Sequence, residues 1–276
     1  MAQPLLSPIN DYVFKRVFGE NLTVLAAFLS AVLGIAIRGG DLAVIDPNFR
    51  ANRAKDHLGI LDVRVKTQQY GIIDVEIQVK VAVYLWNRFQ YYTARNYVEQ
   101  MRSGRRYESL SKAITIVIMD ANLIHEDTAY HHCFHLYDKK HGLDYPDSME
   151  IHILEIVKRY DDGDPVYQWL QFLAARTEEE FMSLAQNNPA MEEAWGVIKY
   201  LSGDEQERAL AEAEERERLD RASLYDAGKA EGRAEGWKDG KAEVAQNLLH
   251  LGLPIAQIAE ATGLSTAEIE ALRKVQ

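Results

Sequence analysis

Asp62 and Glu76 are the residues of this sequence whose types and spacing best suit metal-ion chemistry. They lie within residues 58–66 and 72–81, two runs that are rich in β-branched side chains and largely alternate in polarity, a pattern that predicts β-strands. The short polar segment between the runs contains a glycine and predicts a tight turn. The two carboxylates are therefore predicted to lie on facing strands of one hairpin.

The simplest register of this hairpin places the two carboxylates directly opposite each other. If Lys66 lies opposite Ile72, the same pairing puts Asp62 opposite Glu76, with their Cβ atoms about 5 Å apart. Opposed like charges destabilise a sheet unless a cation lies between them, and Mg²⁺ is usually held by one or two carboxylates together with phosphate oxygens. A solvated hairpin face on which the charges happen to meet fits the same pattern, so the pattern alone leaves both interpretations open.

Polar side chains beyond this pair extend the candidate site. The period of two along a strand places Gln78 and Lys80 on the same face as Glu76. Residues 86–103 then have the period of a helix, and one stripe combines arginines with a tyrosine, which fits phosphate binding and a solvated face equally well. That stripe consists of Arg88, Tyr92, Arg95, Glu99, Arg102 and Arg106. The stripe predicted to face the core consists of Tyr91, Ala94, Val98 and Met101.

Composition and charge bound the class of protein. The chain has 276 residues, of which 47% are hydrophobic and 26% charged, enough for one substantial core and a smaller appendage. Its longest mostly apolar run, residues 24–37, is too short to span a bilayer, so no membrane partner is predicted. The N-terminus lacks the basic start of a signal peptide, and the single cysteine, Cys133, excludes an intramolecular disulfide; we therefore expect a cytoplasmic location.

The net charge of −11 is unevenly distributed along the chain. Residues 1–120 contain 15 Lys and Arg against 11 Asp and Glu, a net charge of +4. Residues 121–276 contain 16 against 31, a net charge of −15. The half that carries the candidate site is therefore basic and compatible with a polyanionic substrate, which the acidic overall balance hides.

Three apolar segments predict the framework around the hairpin. Ser7 and Pro8 mark the start of a first helix, and Asn21 and Gly34 cap a second helix that is apolar nearly all round. Residues 113–119 form a continuous apolar run, which predicts a strand buried on both faces.

Histidines precede a further predicted strand, residues 149–157. The polar side chains of that strand predicted to point away from the core are Glu150, His152 and Glu155. Upstream, His131 and His135 have the i, i+4 spacing of zinc ligands on a helix. No H-E-x-x-H glutamate and no cysteine pair accompanies them, so surface or half-buried histidines are the preferred interpretation.

The C-terminal half is predicted to be helical. Residues 204–221 are dense in Glu, Arg and Ala, which predicts a solvated helix with internal ion pairs. Glycines at period four follow on one helical face and predict either a self-association surface or a mobile linker: Gly228, Gly232, Gly236 and Gly240. Residues 253–272 predict a helix, a turn and a helix, but Glu268 and Glu270 would repel phosphate. A helical hairpin that packs on its neighbours is therefore preferred over sequence-specific DNA binding.

Several pieces of the sequence, taken in order, resemble one family across most of the chain. They are NDYVFKRVFG at residues 10–19, ILDV at 60–63, VEIQ at 75–78, Arg88 with Tyr92, EQMRSGRRY at 99–107 and ITIVIMD at 114–120. In this ordered set the chain resembles the recombination-promoting nucleases, also described as PD-(D/E)XK nuclease family transposases of bacteria.

The resemblance implies an α/β, restriction-endonuclease-like core with a central mixed sheet, followed by a helical C-terminal region. It places Asp62, Glu76 and Gln78 at the positions of the D…(D/E)-x-K triad and makes Asp11 a further acidic contributor. Gln78 stands where the wider superfamily has lysine, and Lys80 is the residue that would partly compensate. We expect a nuclease-like core over residues 1–160, an acidic helical region over 161–222, and the glycine-periodic helix with the hairpin over 223–276.

Residues and resemblance together predict a Mg²⁺-dependent DNA endonuclease linked to recombination or mobile-element activity. The predicted metal ligands are Asp62, Glu76 and Asp11, with Gln78 and Lys80 as further catalytic residues. The predicted DNA-binding residues are Arg88, Tyr92, Arg95 and Arg102. The alternative is a weakly active or inactive protein of the same fold that acts as a DNA-binding or assembly module through its helical C-terminal half. Self-association through the glycine-periodic helix is expected in either case.

Overall fold

A mixed β-sheet forms the centre of the fold in a computed structural model that describes residues 4–45, 63–67, 69–101, 106–145, 148–158, 161 and 163–274. The strands within these residues are β1 (Leu42–Val44), β2 (Val63–Thr67), β3 (Gly71–Gln78), β4 (Ala113–Met119), β5 (His131–His135), β6 (Tyr137–Asp138), β7 (Leu143–Asp144) and β8 (Met149–Glu155). Six of these described strands form one sheet in the order β1-β2-β3-β4-β8-β5, and β6 pairs with β7. β3, β4 and β8 are parallel and the remaining pairs antiparallel, so the predicted mixed sheet is confirmed.

The described residues also form helices, most of them in the C-terminal half of the chain. They are α1 (Asp11–Phe14), α2 (Leu22–Leu33), α3 (Leu85–Glu99), α4 (Pro165–Ala174), α5 (Glu178–Ala185), α6 (Pro189–Gly203), α7 (Glu205–His250), α8 (Ile255–Thr262) and α9 (Thr266–Lys274). A π-helix over Lys15–Gly19 continues α1. Asn21 and Gly34 cap α2 as predicted. The first helix begins later than predicted, because the side chain of Asn10, rather than Ser7, accepts two backbone N–H groups of α1.

No single helix of the described chain is both long enough and apolar enough to span a membrane. The segment Asp11–Gly19 and α2 have the required length and composition only when taken together, across a bend of 95°. Their apolar side chains, including Phe14 and Phe18, are buried in the core.

The two faces of the sheet carry different layers. Side chains at odd positions of β3, such as Ile73 and Val75, lie in a large core that also contains residues of α1, α2 and α4–α6. On the other face, α3 packs through Leu85 and Phe89 against Val117 of β4. Successive side chains of a strand point to opposite faces of the sheet. Within any one strand, odd-numbered residues therefore face one layer and even-numbered residues face the other.

The predicted hairpin is present with the predicted register. β2 and β3 are antiparallel, with Lys66 opposite Ile72 and Val63 opposite Val75. These described pairs follow the pairing expected from the sequence, which is thereby confirmed for this stretch. Asp62, the residue before β2, lies outside the described residues.

The ends of β3 have different causes. Gly71 begins the strand with φ of +79°, and a Cβ at this position would lie 1.9 Å from the carbonyl oxygen of Lys112, so the close approach requires glycine. The strand ends at Gln78, whereas the sequence predicted it to continue to residue 81. Lys80 therefore lies in the bend that follows the strand, so the alternation of side chains along β3 does not determine which face Lys80 is on.

The segment that runs into β8 corrects three expectations. His131 and His135 lie on the edge strand β5, so their spacing is not that of a helix. Two side chains predicted to point away from the core are buried, His152 at 5% and Glu155 at 0% exposure. Burial of Glu155 is compensated because its carboxylate accepts two backbone N–H groups of the loop after β4, at 2.6 and 3.1 Å.

Helices α4–α6 share the large core with the sheet. Trp169 of α4 lies with its ring centroid 5.8 Å from that of Phe18 and 5.7 Å from that of Phe28. The chain divides into two compact units, residues 1–215 and residues 216–276. The sequence predicted boundaries near residues 160 and 222, whereas helices α4–α6, which follow residue 160, belong to the core of the first unit.

The second unit, residues 216–276, has a small core of its own. α8 and α9 pack with the C-terminal part of α7 around Ala245, Ile258 and Ile269. The turn between α8 and α9 contains Gly263 with φ of 67°, so the predicted helix, turn and helix are present. Apart from the adjoining backbone of its own helix, a Cβ added to any glycine of the period-four series would meet no atom of the described chain within 4 Å: Gly228, Gly232, Gly236 and Gly240. Self-association through this series stays a prediction.

Candidate active site

Two carboxylates of β3 point to the sheet face that α3 covers. Glu76 is a predicted site residue, and Asp74 precedes it by two positions, so their side chains share a face. Asp74 is 0% exposed and Glu76 is 2% exposed. Asp74 was not among the predicted site residues, although the period of two that placed Gln78 after Glu76 also places Asp74 before it.

α3 presents a largely polar face to these carboxylates. Its buried residues are Leu85, Phe89, Tyr92, Thr93 and Asn96. The prediction that the stripe with Tyr91 and Val98 faces the core is wrong, because these side chains are 54% and 65% exposed. Buried carboxylates are tolerated only beside hydrogen-bond donors or positive charges, so the polar stripe turns toward the sheet in place of the apolar one.

Arginines approach the carboxylates from β2 and from α3. Nη2 of Arg88 on α3 lies 3.5 Å from Oε1 of Glu76. Arg64 of β2 lies opposite Asp74 in the register and is 6% exposed. Its Nη2 atom is 2.7 Å from Oε2 of Glu99, near the end of α3. Negative charges buried between the helix and the sheet are thus offset by guanidinium groups.

Tyr92 lies among these arginines. The guanidinium carbon of Arg88 is 5.6 Å from the centroid of the tyrosine ring. Burial raises the pKa of Tyr92 above its usual value and outweighs the lowering effects of Arg88 and Arg95. The phenol therefore keeps its proton at neutral pH and can donate a hydrogen bond. Nε of Arg95 lies 3.5 Å from Oε1 of Glu99, at 15% side-chain exposure.

Gln78 lies beside Glu76 at the end of β3. Its Nε2 atom donates a long hydrogen bond of 3.5 Å to Oε2 of Glu76. The amide can orient a neighbouring group but carries no charge, unlike the lysine usual at this position. Lys80 is exposed in the bend after the strand, and its contribution to the site stays a prediction.

Asn96 is a buried polar residue that no sequence pattern singled out. It is 0% exposed, and neither amide atom has a hydrogen-bond partner among the described residues. One turn earlier, Thr93 shares a hydrogen bond of 2.7 Å with Thr115 of β4, which pairs with Asp74. Asn96 therefore extends the polar face of α3. A buried amide without a partner commonly forms hydrogen bonds with a polar ligand or with water.

The structure brings a subset of the predicted site residues into one region: Glu76, Gln78, Arg88, Tyr92 and Arg95. Asp62 and Arg102 lie outside the described residues. Asp11 lies in the first turn of α1, a helix that packs through Val13 and Phe14 into the large core, against the sheet face opposite Glu76. The roles predicted for Asp62, Arg102 and Asp11 stay predictions.

Comparison with known protein families identifies the family of the chain. A sequence model described as PD-(D/E)XK nuclease family transposase matches residues 8–228, which is most of the chain. The chain belongs to this family. The PD-(D/E)XK fold predicted from the sequence is thus confirmed by the match and by the mixed central sheet. No curated protein and no solved structure shows significant similarity to the chain.

The donor atoms on this face of β3 fit a hard divalent cation. Glu76, Asp74 and Gln78 offer carboxylate and amide oxygens, the ligand type that Mg²⁺ takes. The charge of Glu76 is compensated by Arg88 at 3.5 Å, a distance that leaves this ion pair weaker than a direct hydrogen-bonded contact. Gln78 is only half-buried, so the end of β3 gives access from solvent.

Proposed function

We propose that the protein is a Mg²⁺-dependent DNA endonuclease that hydrolyses phosphodiester bonds in recombination or mobile-element activity. The observation that carries the proposal is the pair of buried carboxylates, Asp74 and Glu76, beneath the arginine-bearing face of α3 in a chain of the nuclease family. Burying two carboxylates costs free energy even beside arginines, and a cation-binding role accounts for that cost.

Glu76 and Asp62 are the proposed metal ligands. The described pairing of β2 with β3 supports the choice of Asp62, because continuing the predicted register brings that position to Glu76. A Mg²⁺ ion held by these residues would supply Lewis-acid activation of the scissile phosphate and of the attacking water. We add Asp74 as a buried acidic group that increases the affinity of the site for a cation.

The polar face of α3 is proposed to bind the DNA backbone. Arg88 and Arg95 provide guanidinium groups that suit phosphate oxygens, and the protonated phenol of Tyr92 can donate a hydrogen bond to one of them. Arg102 is proposed to extend this surface beyond α3. These contacts fix the phosphodiester relative to Glu76 and carry no sequence information, because phosphates are the same at every step.

Gln78 is proposed to orient the attacking water with its amide, while the charge that a lysine would supply is missing at this position. Lys80 is the proposed source of part of that charge. The expected consequence is an endonuclease of low rate compared with relatives that carry the lysine.

Three further features belong to this proposal. The basic first half of the chain, with its net charge of +4 over residues 1–120, suits a polyanionic substrate. We place the activity in the cytoplasm, as expected for a chain with a single cysteine. Copies of the chain are proposed to associate through the glycine-periodic face of α7.

Nicking of supercoiled plasmid tests this function. The full chain is expected to convert supercoiled DNA to the open circle with Mg²⁺ and to do nothing when EDTA removes the metal. Glu76→Gln, which keeps the shape of the side chain, should lose the activity. Glu108→Gln, at an exposed position of the same unit, is the matched control and should keep it.

DNA binding without cleavage identifies the alternative function. If wild type shifts duplex DNA in a gel but never nicks it at any Mg²⁺ concentration, the protein is a DNA-binding or assembly module of the nuclease fold. The uncharged Gln78 is the observation that favours this second candidate.

A further inference from the structure

A second group of side chains suited to metal binding lies at the edge of the sheet. Cys133 of β5 pairs with His152 of β8, and Glu150 lies two positions before His152 on the same face. His152 also pairs with Ile116 of β4, whose side chain lies in the large core. The group is therefore on the sheet face opposite Glu76 and separate from the nuclease site.

The ligand atoms of these three side chains converge. Nε2 of His152 is 3.6 Å from Sγ of Cys133 and 3.5 Å from Oε2 of Glu150. One ligand atom from each residue lies within 4.8 Å of the other two. Zinc bonds of about 2.3 Å to sulfur and about 2.0–2.1 Å to nitrogen or oxygen place tetrahedral ligand atoms about 3.3–3.6 Å apart. The spacing around His152 is therefore close to what a tetrahedral ion requires.

Neighbouring groups orient the ligands. His152 is 5% exposed, and its Nδ1 atom lies 2.9 Å from Nε2 of His131. When Nδ1–H of His152 donates a hydrogen bond to His131, the lone pair on Nε2 of His152 is directed toward Cys133. Metal-bound histidines commonly have this arrangement. Nζ of Lys112 lies 2.6 Å from Oε1 of Glu150, which leaves Oε2 on the side of His152.

We propose that Cys133, His152 and Glu150 bind Zn²⁺ or a chemically similar ion, in addition to the Mg²⁺ of the nuclease site. A thiolate, an imidazole and a carboxylate are ligands that zinc accepts, whereas Mg²⁺ takes oxygen ligands. Two negative ligands match the charge of a divalent ion. The fourth coordination position is left to water.

The ion links the edge strand to the rest of the sheet. Cys133 lies on β5, whose described ladder is with β8, while the other two ligands lie on β8 itself. Cys133 is exposed, which gives the ion a route from solvent. Binding therefore stabilises the attachment of β5 and raises the free energy of unfolding of the first unit.

Cobalt spectroscopy of the full chain tests the proposal. Co²⁺ added to the metal-free protein under a phosphine reductant should produce a thiolate-to-cobalt charge-transfer band that saturates at one equivalent bound to the Cys133 site. Zn²⁺ should displace the band and Mg²⁺ should not. Cys133→Ala should abolish the band, and His131→Ala should weaken affinity by about 10–100-fold through loss of the orienting hydrogen bond.

Two variants serve as controls. His141→Ala removes an exposed histidine in the turn between β6 and β7, where its ring contacts the carboxylate of Asp138. This variant should leave the band unchanged. Glu76→Gln should also keep the band, so failure of the nuclease proposal is distinguishable from failure of this one. Circular dichroism checks the fold, and Cys133→Ser replaces the alanine variant if that variant is unfolded.

A folded wild-type chain that shows no thiolate-to-cobalt charge-transfer band overturns the proposal. So does a band that persists in both Cys133 variants, or Zn²⁺ affinity that these variants leave unchanged. Zn²⁺ affinity that Glu150→Gln leaves unchanged removes that carboxylate from the ligand set and overturns the site as proposed.

Discussion

Arg88→Met removes a positive charge that lies 3.5 Å from the buried carboxylate of Glu76, while it keeps a side chain of similar length. The side chain of Glu76 is 2% exposed and that of Arg88 is 31% exposed, so the pair is intermediate between a surface and a buried ion pair. Exposed pairs contribute about 0.2–1 kcal/mol, and breaking a buried pair costs about 3–5 kcal/mol. We expect the free energy of unfolding to fall by about 1–3 kcal/mol.

Mg²⁺ should partly restore this loss. Arg88 repels a second cation at Glu76, so its removal should tighten Mg²⁺ binding even though it destabilises the metal-free chain. A tenfold tighter dissociation constant adds about 1.4 kcal/mol of stabilisation at saturating metal. The same variant should cleave DNA about 10²-fold more slowly, because it also removes a proposed phosphate contact.

Urea unfolding followed by tryptophan fluorescence, with and without MgCl₂ at matched ionic strength, measures both effects. Lys199→Met is the matched control, since Lys199 lies 2.7 Å from Glu178 with side-chain exposures of 62% and 49%. Its cost should stay below about 1 kcal/mol and should not depend on Mg²⁺. Equal Mg²⁺ stabilisation of wild type and Arg88→Met would refute the reasoning that Arg88 and the metal compete for Glu76.

Two further outcomes follow from the same structure. Gln78→Lys restores a charge beside Glu76 and should cleave DNA no more slowly than wild type at saturating Mg²⁺. The gain should be larger in a Lys80→Ala background. A large loss of single-turnover rate, with folding and metal affinity unchanged, would mean that the amide of Gln78 has a task of its own. A chain that ends at residue 215 should stay folded and sediment as a monomer, whereas one that ends at residue 159 should be insoluble because it lacks the core helices α4–α6. Unchanged sedimentation of the 215-residue chain would remove α7 as the association surface.

Local patterns were sufficient to predict much of the framework. β4 has the bounds of its apolar run, residues 113–119, because a strand covered on both faces needs apolar side chains at every position. The register of β2 with β3 follows from the short turn that joins them, since turn length fixes the pairing of a hairpin.

The orientation of α3 could not be predicted from its own sequence. The helix carries an apolar stripe with Tyr91 and a polar stripe with Tyr92, and periodicity favours burial of the apolar one. The polar stripe instead faces the sheet, with Tyr92 buried and Arg88 and Arg95 partly buried, because the opposing strand presents Asp74 and Glu76. The position of those carboxylates is information from tertiary structure. Asn96 shows the same limit, since an amide within a helix has no pattern that marks it as part of a site.

The edge strand β5 depends on tertiary structure in a similar way. Its sequence, HHCFH, has neither strand alternation nor a buried face, and three of its five positions are histidines. Pairing with β8 supplies the hydrogen bonds that make it a strand and brings Cys133 to His152. Spacing along the sequence related His131 to His135, whereas the contacts relate His131 to His152.

The single-turnover rate of Mg²⁺-dependent DNA nicking by wild type and by Glu76→Gln tests the central claim most directly. The two proteins should have the same circular dichroism, because the substitution keeps the shape of a residue that is 2% exposed. Loss of a metal-binding carboxylate is expected to lower the rate by about 10²-fold or more at saturating Mg²⁺. A Glu76→Gln protein that nicks plasmid at the wild-type rate would contradict the assignment of this site.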